Sequence, residues 1–258
     1  MKRVRLIISY DGTNYVGWQI QPNGVSVQSL LEKALYELVG ETTRVEGSGR
    51  TDSGVHARAQ VAHFDTDARM SADKYAIAMN MHLPPDIRVL YSEECDPEFH
   101  ARFSAKRKVY TYDVQLGPHA DVFRRFTSLH LHYMPDVQAM KHAAECVIGT
   151  HDFNAFKCAV SSMENTVRTV MRSEWTQNGN LLSYTVEGNG FLYNMVRILV
   201  GTMLEIGSGK RPLSDLEKAI QSGRRTDAGA TAPAHGLCLS RVVYPDFDTE
   251  EVLHRVGF

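Results

Sequence analysis

One short segment carries more reactive side chains than a turn requires. Residues 47–57 read Gly-Ser-Gly-Arg-Thr-Asp-Ser-Gly-Val-His-Ala, so three glycines frame one carboxylate, Asp52, and one guanidinium, Arg50. Glycine permits a positive φ and close backbone approach, so the chain can turn sharply and hold Asp52 at a defined point. The pattern leaves two interpretations open: a tight polar turn between strands, or a loop that presents a carboxylate for chemistry.

A second signal is a lone arginine in an otherwise apolar helix. Residues 191–204 contain a single charged side chain, Arg197. A helix that is apolar all round is usually buried, and a buried guanidinium needs an anionic partner. The sequence therefore predicts either that Arg197 pairs with a carboxylate, for which Asp52 is the best candidate, or that its long side chain reaches solvent.

A third signal is a local excess of positive charge. From residue 102 to residue 125 there are six Lys or Arg against two Asp, although the whole chain has a net charge of −2. Tyr110 and Tyr112 lie two apart, on one face of a predicted strand. Cations with aromatic rings are typical of nucleic-acid grooves, whereas a solvated strand edge is the alternative. The candidates for contact with RNA in this stretch are Arg102, Lys106 and Lys108, together with Tyr110.

The sequence carries no signature of a metal site or an organic cofactor. The four cysteines are scattered without a C-x-x-C pair, and the eleven histidines form no ligand pattern. P-loop, G-x-S-x-G and dinucleotide-binding patterns are also missing from the sequence. We therefore expect no metal and no cofactor, and a reaction that depends on one Asp, one or two Arg and a Tyr. We also expect a cytoplasmic protein, because neither a secretory signal nor a membrane-spanning stretch is evident.

The elements that must position these residues begin with a β-α-β-β-α-β order, which is typical of a ferredoxin-like unit. Strands are predicted at Val4–Tyr10, around Val45, at Ala57–Thr66 and at Ile87–Tyr91. Ser26 is predicted to cap one helix that ends at Gly40, and Ser71 to cap another that runs to about His82.

The second half is predicted to elaborate the same α+β theme. Its predicted strands are 103–116, 126–133, 168–177, 181–187 and 237–244, and its predicted helices are 135–147, 191–206 and 213–222. Asn178-Gly179-Asn180 is a hairpin-turn signal. We place the domain boundary at residues 103 and 104, which gives an N-terminal domain of 1–103 and a C-terminal domain of 104–258.

Over about residues 4–244, the chain resembles the TruA-type family of bacterial tRNA pseudouridine synthases. The segment Gly49-Arg50-Thr51-Asp52 with Gly54-Val55-His56 is the most specific part of the resemblance. The other segments that carry it are Tyr10–Gly12, Gly17–Gln19 with Gln21, Phe99–Ala105, Asp152–Phe153, Gly190–Phe191 with Met195–Arg197 and Gly201, and Thr231–Leu237.

The resemblance implies an isomerase that converts uridine to pseudouridine at positions 38, 39 and 40 of the tRNA anticodon stem-loop. It implies that Asp52 is the catalytic nucleophile or base, that Arg197 pairs with it, that Tyr110 packs on the target base and that Arg50 assists base flipping. The family fold is two ferredoxin-like halves joined by a central, mostly antiparallel sheet, with helices on one face and the active cleft between the halves. Family members are homodimers.

Two other classes compete with this interpretation on the residues alone. A non-catalytic RNA-binding protein would explain the basic and aromatic strand, but not the glycine-framed Asp52 or the lone Arg197. A nucleoside or glycoside hydrolase would use a carboxylate nucleophile, but such enzymes usually need two positioned carboxylates and only one is evident.

Overall fold

The structure, a computed structural model, describes residues 1–158 and 163–258, which divide into two units. The first unit contains residues 1–108 and 238–258, and the second contains residues 109–237. The sequence predicts a boundary at residues 103 and 104 with the C-terminus in the second half. Residues 238–258 instead belong to the first unit, because a C-terminal strand pairs with an N-terminal one through Cys238 and Leu239.

Each unit is α+β. In chain order the elements are β1 (Lys2–Tyr10), α1 (Val27–Val39), β2 (Glu46–Gly47), β3 (His56–Thr66), α2 (Tyr75–Asn80), β4 (Ile87–Cys95), β5 (Arg107–Leu116), β6 (Leu129–Leu131), α3 (Val137–Glu145), β7 (Gly149–Asp152), β8 (Val167–Asn178), β9 (Leu181–Gly188), α4 (Met195–Gly207), α5 (Ser214–Ser222), β10 (Leu237–Val243) and α6 (Thr249–Arg255).

The first unit reproduces the predicted β-α-β-β-α-β order as β1 to β4 with α1 and α2. Its strands follow the spatial order β4-β1-β3, and β2 pairs with β3. These four strands are antiparallel to their neighbours, whereas β10 runs parallel to β3. The helix α1 buries Val27, Leu31 and Leu35, whose spacing of four residues places them on one face.

The helices predicted after Ser26 and Ser71 are both present, but only the first has the predicted side-chain cap. The Ser26 hydroxyl accepts a hydrogen bond from the backbone N of Ser29, 3.2 Å away, and Gly40 ends the helix with a φ of +73°. The prediction that Ser71 caps the next helix is wrong. Its hydroxyl donates to the Asp73 carboxylate, a short 3₁₀ turn follows, and α2 begins only at Tyr75.

The second unit contains the strand order β5-β9-β8-β7, with β6 beside β5. The predicted hairpin turn is confirmed: Asn178 pairs with Leu181 across β8 and β9, and Gly179 has a φ of +60°. The elements β7 and α6 were not predicted, and β6 is shorter than the predicted strand.

Two predicted boundaries are wrong for local reasons. The strand β5 starts at Arg107 rather than Phe103, because residues 100–104 form a turn in which the backbone N of Ser104 donates to the carbonyl of His100. The helix α4 starts at Met195 rather than Phe191, because Asn194 has a φ of +64° and cannot continue a right-handed helix. Within residues 1–158 and 163–258, no helix is both long enough and apolar enough to cross a membrane.

The cap of α1 gives a stability prediction. We expect Ser26→Ala to lower the free energy of unfolding by about 1 kcal/mol, because a backbone N–H in the first turn loses its partner. Ser71→Ala is the matched control, since Ser71 makes no side-chain cap bond. Its effect should stay within about 0.5 kcal/mol, as for an ordinary surface substitution. Urea titration of both variants measures this, and equal losses would contradict the assigned cap.

Candidate active site

The loop that carries Asp52 closes in a tight turn immediately after the carboxylate. The backbone N of Val55 donates to the Asp52 carbonyl over 3.1 Å, and Gly54 between them has a φ of +76°. That conformation suits glycine at the third position of a turn. The Asp52 side chain is half-buried, while Thr51 before it is buried. The turn therefore fixes the backbone from which the carboxylate projects.

Residues 12–18 hold this loop from one side by backbone contacts. The N of Trp18 donates to the Thr51 carbonyl over 3.1 Å, and the N of Gly54 donates to the Tyr15 carbonyl over 3.3 Å. At Gly17, where φ is +104°, a Cβ would lie 2.5 Å from the Thr51 carbonyl oxygen. At Gly12 it would lie 2.1 Å from the carbonyl oxygen of Val55. Only glycine fits at both positions, so these two glycines allow residues 12–18 to pack closely against the Asp52 loop.

Buried side chains hold the loop from the other side. The hydroxyls of Tyr10 and Thr51 share a hydrogen bond of 2.8 Å. The amide of Gln60 donates to the Gly49 carbonyl over 2.9 Å, and its oxygen accepts from the Ser48 hydroxyl over 2.6 Å. Because Ser48 and Gln60 are fully buried, breaking either bond would leave a polar group unpaired away from water. Burial also raises the pKa of Tyr10, which therefore stays a neutral hydroxyl.

Lys108 has a different environment from the other basic candidates. It is half-buried, and its Nζ donates to the Ser48 carbonyl over 2.5 Å. Burial, with a smaller effect from the nearby Arg102 charge, lowers the pKa of Lys108 to about 8. A Cβ at Gly49 would lie 3.1 Å from the same Nζ. Lys108 thus contacts the start of the Asp52 loop directly.

The remaining basic candidates of the first unit are on the surface. Arg50, Arg102 and Lys106 are exposed, and the Arg102 guanidinium lies 5.5 Å from the centre of the Phe103 ring. In residues 1–158 and 163–258, the Arg50 side chain makes no hydrogen bond or ion pair. These side chains are available to an external anion.

The second unit contains the other two candidates. Tyr110 is buried in β5, and its ring meets Phe191 edge to face with 5.3 Å between the centres. Arg197 lies in the first turn of α4 among buried neighbours such as Val196 and Ile198. Its Nε donates to the Ala232 carbonyl over 2.8 Å and its Nη1 to the Asn194 side-chain oxygen over 3.0 Å. The predicted pairing of Arg197 with Asp52 stays a prediction.

Sequence reasoning missed several residues that position the candidates. Gln60 and Tyr10 lie on predicted strands, where nothing in the pattern distinguishes a buried hydrogen-bonding residue from an ordinary one. Asn194 carried a weak signal, because asparagine is the non-glycine residue that tolerates positive φ best. In the part of the chain that the structure describes, no three His, Cys, Asp or Glu side chains are grouped to hold a metal ion.

Comparisons of the sequence with known proteins match this chain to one family. A model of the family described as tRNA pseudouridine synthase matches residues 6–104 and 143–245. A protein of Halalkalibacterium halodurans named tRNA pseudouridine synthase A is 48% identical over 242 residues, which is 93% of this chain and 92% of that protein. Proteins of the same name from Geobacillus sp. and Ruminiclostridium cellulolyticum are 46% and 47% identical and cover 94% and 95% of this chain, or 98% and 100% of their own lengths.

The matched ranges include Arg50, Asp52, Arg102 and Arg197, whereas Lys106, Lys108 and Tyr110 lie between them. The identity extends over nearly the whole chain in each relative. The chain therefore belongs to the tRNA pseudouridine synthase family, whose members are isomerases that convert uridine to pseudouridine in tRNA.

Proposed function

We propose that this protein converts uridine to pseudouridine at positions 38, 39 and 40 of the tRNA anticodon stem-loop, with Asp52 as the catalytic carboxylate. The observation that carries the proposal is the Asp52 loop, which is clamped by backbone bonds to residues 12–18 and by the buried Tyr10–Thr51 contact. A half-buried carboxylate on a fixed turn is suited to act as a nucleophile or a base at a defined point.

The reaction consumes nothing because the product is an isomer of the substrate. The bond between ribose C1′ and uracil N1 breaks, the base turns, and C1′ bonds to C5. The C5 proton is then lost, and N1 ends with a proton. The Asp52 carboxylate serves this sequence either by attacking covalently or by moving protons. Neither role needs a redox group or an energy source.

The other candidates have complementary proposed roles. Arg197 pairs with Asp52 and keeps it ionised, because a guanidinium favours the charged form of a nearby carboxylate. Tyr110 packs on the target base. Arg50 assists extrusion of the stacked uridine, a step that costs a few kcal/mol. Its exposure and its lack of a partner within residues 1–158 and 163–258 support this role.

The fold and assembly complete the proposal. The strand order β4-β1-β3 of the first unit, with β2 paired to β3, supports a ferredoxin-like half. The second unit is proposed to be the elaborated counterpart. We propose that the protein works as a cytoplasmic homodimer, as the resemblance implies, without a metal or an organic cofactor.

Two basic residues are the best candidates for phosphate contacts outside the reacting nucleotide. Arg102 and Lys106 are exposed, so their charges are free to meet phosphates at little desolvation cost. Lys108 has its ammonium on the Ser48 carbonyl, so we propose that it also supports the Asp52 loop.

Replacement of the carboxylate tests the central assignment. We expect Asp52→Asn to abolish pseudouridine formation while tRNA affinity stays within about threefold of wild type, because the amide keeps the size but loses the anion. The assay follows tritium released from C5 of labelled uridine, on transcripts that retain a single uridine at position 38, 39 or 40. Turnover near the wild-type rate would contradict the role of Asp52.

The same assay separates the competing functions. A hydrolase would leave an abasic ribose, and a binding protein would leave the RNA unchanged. A transcript whose only uridine lies outside positions 38–40 is the control for site choice. Equal tritium release from that transcript would contradict the anticodon-stem proposal while leaving the isomerase activity intact.

Salt dependence tests the phosphate contacts. The double variant in which Ala replaces both Arg102 and Lys106 should bind tRNA more weakly. The slope of its log affinity against log salt should fall by up to about two units, since each lost phosphate contact removes up to about one unit. Lys33→Ala, on the exposed face of α1, is the matched control and should leave the slope unchanged. An unchanged slope in the double variant would show that the RNA binds elsewhere.

The lowered pKa of Lys108 predicts a specific pH dependence. In the folded protein this ammonium loses its proton near pH 8, whereas its ordinary pKa is 10.5. Between these values the unfolded chain binds more protons, so the folding stability of wild type should rise with pH relative to Lys108→Met. Urea unfolding at pH 7 and pH 9.5 measures the difference. Lys106→Met, with an exposed side chain, should show no such trend, and the same trend in both variants would contradict the burial effect.

A further inference from the structure

We propose that residues 228–232 are a positioning loop that fixes the guanidinium of Arg197, and that Gly201 is the residue that lets this loop reach α4. The inference rests on the proposed role of Arg197 in the reaction. It adds residues that touch neither substrate nor reacting atoms but determine where the arginine points.

The loop binds Arg197 at two atoms. The backbone N of Ala232 donates to the Arg197 carbonyl over 3.0 Å, and the Arg197 Nε donates to the Ala232 carbonyl over 2.8 Å. Both polar backbone groups of Ala232 are therefore used by the same arginine. One bond fixes the loop to the helix, and the other fixes the side chain to the loop.

A third contact fixes the rotation of the guanidinium. The Arg197 Nη1 donates to the side-chain oxygen of Asn194 over 3.0 Å. Asn194 has a φ of +64° and is the only non-glycine residue with positive φ in residues 1–158 and 163–258. Such a conformation is unfavourable for a residue with a Cβ and persists only where the surroundings impose it. With Nε and Nη1 both held, the plane of the guanidinium is defined.

The approach of the loop depends on Gly201, four residues after Arg197 and one helical turn along α4. A Cβ at Gly201 would lie 1.8 Å from the carbonyl oxygen of Ala230. That neighbour is backbone, which cannot rotate away as a side chain can. Any larger residue at position 201 must therefore displace the loop that carries Ala232.

The loop is also held by contacts that do not involve Arg197, so it can determine the position of the Arg197 side chain. The Thr202 hydroxyl accepts from the N of Gly229 over 2.8 Å, and a Glu205 carboxylate oxygen accepts from the N of Ala230 over 3.1 Å. Glu205 also pairs with Arg211 over 2.5 Å, and Arg225 donates to the Gly229 carbonyl over 2.9 Å. A guanidinium oriented before substrate arrives loses no energy to reorganisation during the reaction.

The test combines turnover with a direct observation of the Arg197 side chain. The NMR signal of its Nε–H is assigned by its disappearance in Arg197→Lys. We expect slow hydrogen exchange of this group in wild type, faster exchange in Gly201→Ala, and a fall of kcat by at least tenfold with tRNA affinity within twofold. Gly207→Ala is the matched control. It lies on the same helix, but its Cβ would meet the Met140 side chain rather than this loop, and it should change neither readout.

Thr202→Val is the second variant, in case Gly201→Ala does not fold. It removes the hydroxyl that holds Gly229 and should shift both readouts in the same direction. The positioning role is overturned if Nε–H exchange is fast in wild type. It is also overturned if the folded variants keep wild-type exchange, or if they lose protection yet keep kcat. Full turnover by Arg197→Lys would instead refute the proposed role of Arg197 itself, which keeps the two failures distinct.

Discussion

The arrangement around Asp52 depends on one constraint, the close approach of two stretches of backbone that only glycine permits. A Cβ at Gly12 or Gly17 would collide with the backbone of Val55 or Thr51. This close approach lets the backbone of residues 12–18 form hydrogen bonds with the loop. A loop held only by its own turn would sample many conformations, and ordering it would cost about 1–2 kcal/mol per residue at the moment of reaction. The contacts of the folded chain remove that cost beforehand.

The second unit follows the same principle with different residues. At Gly201 the close approach is between helix and loop, and the group that it positions is a cation rather than an anion. In each unit a charged candidate side chain projects from a segment whose backbone is fixed by neighbours that have no chemistry of their own. The effects of substituting these glycines should therefore resemble the effects of removing a reactive side chain more closely than the effects of removing a packing contact.

The sequence predicted what local chemistry determines and missed what tertiary contacts determine. The two ends of α1, at Ser26 and Gly40, were predictable because a cap and a left-handed terminus are properties of a few adjacent residues. The glycine pattern around Asp52 was visible for the same reason. By contrast, Lys108 looked like its neighbour Lys106 in the sequence, and only the fold places one against the Ser48 carbonyl and the other in solvent. The pairing of β10 with β3 was also beyond reach, because it joins residues far apart in the chain.

Amide hydrogen exchange of the free protein tests the central claim, that the Asp52 loop is formed before RNA binds. The amides of Trp18, Gly54 and Val55 donate the backbone bonds that hold the loop. We expect all three amides to exchange slowly without RNA, with protection close to that of β1, and we expect added tRNA to change this little. Fast exchange at these amides in the free protein, with protection appearing only in the tRNA complex, would show that the substrate orders the loop and would contradict the account.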